Sequence, residues 1–231
     1  MKRFNHPPVA TKTLRVLARL LGYPDGAMRS DLAAMSDALR AERALVTTRL
    51  AELDALIGTL GRGAPLEVEA AYVDVFDRGR ATSLHLFEHV HGDSRDRGPA
   101  MIDLAKTYEA AGLRLAQGEL PDFLPVVLEF ASTQPPREAR ALLAEIAHIL
   151  NAIFAALQGR ASAYASAFGA LLELAGAKAQ PVQIAPEEPV DAAWEEPVVF
   201  DGCSSRGQAR PGQPQPIHIV RKDHAVEGAR T

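Results

Sequence analysis

Apolar side chains recur at steps of three and four residues from about Thr11 to Ala175, the signature of α-helices that each bury one face. Leu14, Leu17, Leu20 and Leu21 form the first stripe, with Thr11 or Thr13 as its cap and Gly22-Tyr23-Pro24 as its stop. Met28, Leu32, Met35 and Leu39 predict a second helix. Val46, Leu50, Leu53, Ile57 and Leu60 predict a third, ending at Gly61 and Gly63. Pro65 suits the first turn of a fourth, whose apolar face is Tyr72, Val73 and Phe76. After the polar break Asp77-Arg78-Gly79-Arg80, Thr82 or Ser83 is placed to cap a short helix bearing Leu84, Phe87 and Val90. Pro99 opens a further helix with Met101, Leu104, Tyr108, Ala111 and Leu115 in heptad spacing. Asp122 caps one running towards Phe130, with Pro125 tolerated in its first turn. A long helix follows Pro135-Pro136 with Leu143, Ile146, Leu150, Ile153 and Leu157. The last, carrying Tyr164, Phe168, Leu171, Leu172 and Ala175, stops near Gly176.

Nine helices and no strand alternation define an all-α, single-domain helical bundle over residues 1–176. No proline lies between Arg137 and Gln180, and alanine is abundant there, as helix propensity favours. Residues 177–231 differ. Seven of the 16 prolines fall after residue 180 and periodic apolar positions are few, so a mobile C-terminal tail is expected. One island, Trp194 to Phe200, holds the chain's single tryptophan.

Composition narrows the function. With 231 residues and 47% apolar content, the chain needs no disulfide or metal to build a core. The single cysteine, Cys203, excludes an internal disulfide framework, a Cys-ligated iron–sulfur cluster and a Cys₄ zinc site. A net charge of −4 argues against nucleic-acid binding. No stretch approaches the roughly 20 apolar residues that span a bilayer, and the N-terminal residues do not read as an export signal, so a soluble cytoplasmic protein is expected. Residues 63–130 carry 6 basic and 12 acidic side chains, which makes the middle of the chain its acidic part.

The densest chemistry lies between Asp77 and Gly98, where three of the seven histidines and four arginines fall within 22 residues. His85, Glu88 and His89 match H-x-x-E-H, in which a helix presents two zinc ligands and a general base on one face. The flanking arginines and the alternating signs of Asp93-Ser94-Arg95-Asp96-Arg97 suit a hydrogen-bonded polar surface better than a metal site. No phosphate loop and no G-x-S-x-G elbow is present. A second cluster runs from Gly118 to Phe130, where Pro121 and Asp122 account for a sharp helix start and Glu119 is left over.

At these clusters the chain resembles a known family. Phe76 to Leu84, Glu88 to Gly92, Ser94 to Gly98, the Glu119-Leu120-Pro121-Asp122 block and Trp194-Glu195-Glu196-Pro197 are similar to the molybdenum cofactor assembly chaperones of respiratory nitrate reductase (the NarJ type), from about Thr13 to Phe200. The wider redox-enzyme maturation family, with the TorD and DmsD chaperones, has an aromatic-x-x-apolar-Phe signature that Tyr72 to Phe76 matches. Its E-P-x-D-H signature is matched in part by Glu119 to Phe123, with Phe123 at the histidine position.

The resemblance implies a non-catalytic helper. It would bind the N-terminal peptide of the apo catalytic (alpha) subunit, alone or with the beta subunit, and would itself hold no cofactor stably. It would permit insertion of the molybdenum cofactor, delay membrane docking and leave the finished enzyme. Cofactor delivery proteins are further partners it leaves open. The expected client surface comprises Tyr72, Phe76, Asp77, Arg80, Leu84, Phe87, Glu88, His89, His91, Glu119, Pro121 and Asp122. Apolar members would anchor the peptide, while Glu88, Glu119 and Asp122 would attract and orient it. A small zinc hydrolase built on His85, Glu88 and His89, and a helical adaptor, are the alternatives.

Overall fold

The segment around Phe168, Leu171, Leu172 and Leu174 is apolar over most of the helical wheel, with Glu173 its one charged residue, and a helix of that kind belongs inside. The computed structural model, which describes residues 9–92 and 94–180, places it there. Eleven α-helices and one 3₁₀ turn, Arg80–Thr82, make up the described residues: α1 (Thr11–Leu21), α2 (Gly26–Ser30), α3 (Leu32–Glu42), α4 (Thr47–Arg62), α5 (Pro65–Phe76), α6 (Leu86–Val90), α7 (Arg97–Ala110), α8 (Leu124–Thr133), α9 (Pro136–Glu145), α10 (Ala147–Gly159) and α11 (Ala165–Ala175). The central α11 packs against α4, α9, α10 and α1, while α1 also packs on α8 and α3. Small residues make this possible. Gly169 of α11 is so close to the Arg49 guanidinium that a Cβ there would meet it. Gly176 closes α11 in the left-handed region at φ 73°, as the sequence predicts for that stop.

Most of the predicted stripes are buried faces, whereas Val46 and Val90, read as stripe positions, are 56% and 54% exposed. Leu14, Leu17, Leu20 and Leu21 are core, as are Met28, Leu32, Met35 and Leu39, and Leu53, Ile57 and Leu60. The helix count differs from nine because two predicted helices are broken. The second divides at Asp31, with Asp25 capping the first piece through a 2.7 Å bond from the Met28 N–H. The long helix after Pro136 divides at Ile146, where α9 and α10 meet at a 63° bend. No proline causes this bend. Both helices pack on α11, with Leu143 of α9 and Ile149, Leu150, Ile153 and Leu157 of α10 buried. The helix after Pro99 is shorter than its heptad spacing suggests, ending at Ala110 and leaving Leu115 in the loop beyond.

No single helix among the described residues is long and apolar enough to cross a membrane. The island from Trp194 to Phe200 and all of the expected tail (177–231) after residue 180 lie outside the described residues.

Candidate functional site

The two sequence clusters meet. His85 and Phe123 form an antiparallel bridge. It is held by the Leu86 N–H donating to the Asp122 carbonyl at 3.0 Å and the Leu124 N–H donating to the Leu84 carbonyl at 2.9 Å. This short pairing sets the fully buried Asp122 carboxylate under the start of α6. There it accepts the Phe87 N–H at 3.1 Å and faces His85 Nδ1 at 3.4 Å and Arg97 at 3.9 Å. An anion at this position satisfies a first-turn amide and complements the positive helix end. The hydrogen bond to Asp122 raises the His85 pKa above its ordinary value, against the opposing effect of burial.

The other polar groups are equally committed. His89 Nε2 lies 2.9 Å from the Ser83 carbonyl, which it can reach only as a donor. Glu88 pairs with Arg97 at 3.5 Å. Thr82 donates its hydroxyl to the Val75 carbonyl. The predicted capping roles therefore change hands. Neither Thr82 nor Ser83 caps α6, because the helix starts at Leu86 and Asp122 serves it from across the fold. Asp122 in turn does not cap α8, whose N-cap residue is Phe123.

The H-x-x-E-H reading loses its geometric premise here. His85 precedes α6 in extended conformation, φ −88° and ψ 104°, so it shares no helix face with His89. The three side chains go to Asp122, Arg97 and Ser83 respectively. Among the described residues no group of three histidines, cysteines or carboxylates is placed to hold a metal.

The expected client surface splits into an inner and an outer set. Tyr72 and Phe76, expected as apolar anchors, are core residues, their rings 4.9 Å apart and each meeting Tyr164 edge to face. Tyr72 donates its hydroxyl to the Leu21 carbonyl at 2.8 Å. Leu84, Pro121 and Asp122 are buried too, so none of these five offers a side chain to a ligand in this conformation. Their sequence spacing marks the face that α5 and the junction turn inward, and periodicity alone does not separate a core stripe from a binding stripe. The outer set consists of exposed Asp77, Arg80 and Glu119 and half-buried Phe87, Glu88, His89 and His91. Near it in sequence, Val90, Ile102 and Leu120 are large apolar side chains at 54%, 57% and 44% exposure.

Beside Glu119 lies a feature the sequence did not suggest. A cleft of about 380 Å³ runs between the end of α7, the loop after it and the outer face of α8. Its apolar lining is Tyr108, Leu113, Leu115, Val126 and Phe130, and Arg15, Arg114, Glu119 and Glu129 contribute charge. Leu115, read as a heptad position, lines this cleft from the loop. The only hint in the sequence was Glu119, the one polar residue of its cluster that helix capping left unexplained.

The described residues form a helical bundle in which the two motif clusters meet at one polar junction. The fold is that of a crystal structure from Archaeoglobus fulgidus described as a putative redox enzyme maturation protein. The likeness has a TM-score of 0.50 at 18% identity and covers 75% of this chain and 98% of that one. Residues 37–170 match the family model for the nitrate reductase delta subunit. The nitrate reductase molybdenum cofactor assembly chaperone NarJ of Escherichia coli K12 is 42% identical over 193 residues, 79% of this chain and 82% of the relative. NarW of the same strain is 38% identical over 193 residues. The chain belongs to the nitrate reductase delta subunit family, and its NarJ and NarW relatives are named as assembly chaperones.

Proposed function

We propose that this protein is an assembly chaperone of nitrate reductase that grips the immature catalytic subunit by its N-terminal peptide. The family membership carries the reading. It is supported by a surface that combines carboxylates with exposed apolar side chains, where Glu88, Glu119, Val90 and Leu120 flank the Asp122 junction. A basic amphipathic helix is the ligand such a surface suits, its apolar face on the aliphatic and aromatic groups and its cations towards the carboxylates. The molybdenum cofactor is cargo of the client in this scheme. The chaperone keeps the apo subunit receptive to it, delays docking on the membrane partner and then leaves.

The test is co-purification with the apo catalytic subunit, with and without that subunit's first residues. Capture of the full subunit and loss of capture on trimming is the expected result. Equal capture of both forms would place the grip elsewhere. The variant Glu119→Lys should weaken binding of the leading peptide in calorimetry by about tenfold, while leaving the fold intact because this side chain is exposed.

A further inference from the structure

Helix α7 has fourteen residues, and only Tyr108 among them is buried. A helix that buries a single side chain has little but its ends to hold it. Both ends are fastened by specific bonds. At the first turn, Arg97 reaches Glu88 at 3.5 Å and Asp122 at 3.9 Å. In the last turn, Tyr108 donates its hydroxyl to the Pro121 carbonyl at 2.8 Å, and its ring lies 4.8 Å from that of Phe130. Between these fastenings Ile102 stands 57% exposed and Met101 and Leu104 are only half-buried. The loop that follows begins and ends at Gly112 and Gly118, with φ of 81° and 89°, a left-handed conformation other residues rarely adopt.

The position of α7 decides the width of the cleft beside it. Tyr108, Leu113 and Leu115 form one wall and move with α7 and its loop, whereas Val126 and Phe130 form the other and belong to α8. That second wall is rigid, since Leu124, Val127, Leu128 and Ala131 tie α8 into the core. We propose that α7 is a two-point strap over this cleft, and that release of the Arg97 and Tyr108 fastenings widens it to admit the client's amphipathic leading segment. The proposal rests on the reading that this peptide is the ligand. The strap adds a closed state of the empty protein, so the observed affinity is the intrinsic affinity reduced by the fraction of molecules that are open.

The experiment uses the full chain, a synthetic peptide of the catalytic subunit's first residues, and the variants Tyr108→Phe and Arg97→Gln. Tyr108→Phe keeps the ring and removes only the hydroxyl. Hydrogen exchange should be faster in α7 than in α8, and faster still in α7 alone in each variant. Both variants should then bind the peptide several-fold more tightly, the opposite of what general damage to the fold would do. Exchange in α7 as slow as in α8, or variant affinities equal to or weaker than the original, would overturn the strap. Peptide that binds all three proteins alike removes the strap and leaves the client reading in place. Peptide that binds none of them removes both.

Discussion

His85 and Asp122 form a pair in which one partner is half-buried and the other fully so. Because the histidine pKa is raised in the folded protein, the pair stabilises fully below the unfolded value of about 6.5 and loses that share as pH rises through the raised value. A proton-detected titration should find His85 above an ordinary histidine, and Asp122→Asn should bring it back down. The thermal midpoint of the original protein should accordingly fall more between about pH 6 and 8 than that of the Asn variant. Parallel curves would show that the pair contributes nothing. Two tyrosines in one aromatic cluster make a second comparison. Tyr72 satisfies its buried hydroxyl on the Leu21 carbonyl, whereas Tyr164 Oη is buried without a hydrogen-bond partner among the described residues. Tyr72→Phe should cost about 1 kcal/mol, and Tyr164→Phe should be neutral or slightly stabilising, since it discards an unpaired polar atom. Denaturant melts of the two variants read the difference directly.

Three helix starts in this protein, those of α1, α4 and α6, are tied by side chains far away in sequence. Glu42, at the end of α3, accepts the Lys12 N–H at 2.9 Å and the Thr13 N–H at 2.6 Å, so it caps α1 from across the bundle. Glu173 of α11 accepts the Val46 N–H at the start of α4, 2.8 Å away, and Asp122 does the same for α6. Glu42→Ala should therefore cost about 1 kcal/mol, the usual worth of a cap, although residue 42 lies some thirty positions from the helix it serves. Faster amide exchange confined to the first turn of α1 would identify the mechanism, and an unchanged melt would refute it. This arrangement explains where sequence reasoning succeeded and where it stopped. Leucine stripes such as Leu14–Leu21 are local and readable, and so are Pro65 at the start of α5 and Gly176 at the end of α11. Thr11, Thr13, Thr82 and Ser83 were reasonable local caps that lost to remote carboxylates. The breaks at Asp31 and Ile146 have no local signal strong enough to announce them, because packing against other helices decides them.

Helix α11 is legible as an inner helix, since all its residues but Ser166 and Glu173 are apolar. The function was legible through long motifs, yet their residues divide by depth. The junction of His85 with Phe123 brings the two motif clusters together while burying much of what they share. The cleft against α8 depends on long-range packing of α7 and its loop, which no period in the sequence encodes. Beyond α11 the described chain continues through Lys178 to Gln180, where Asn151 of α10 holds the backbone by two reciprocal bonds: its amide donates to the Gln180 carbonyl at 3.0 Å, and its carbonyl oxygen accepts the Gln180 N–H at 2.8 Å. That clasp fixes the shortest version of this protein worth making. Cut after Gly176, the polypeptide strands a largely buried asparagine without its mate and should melt earlier by a few degrees, about what 1 kcal/mol is worth at this size. Cut after Gln180, it keeps the clasp and should melt above the shorter form.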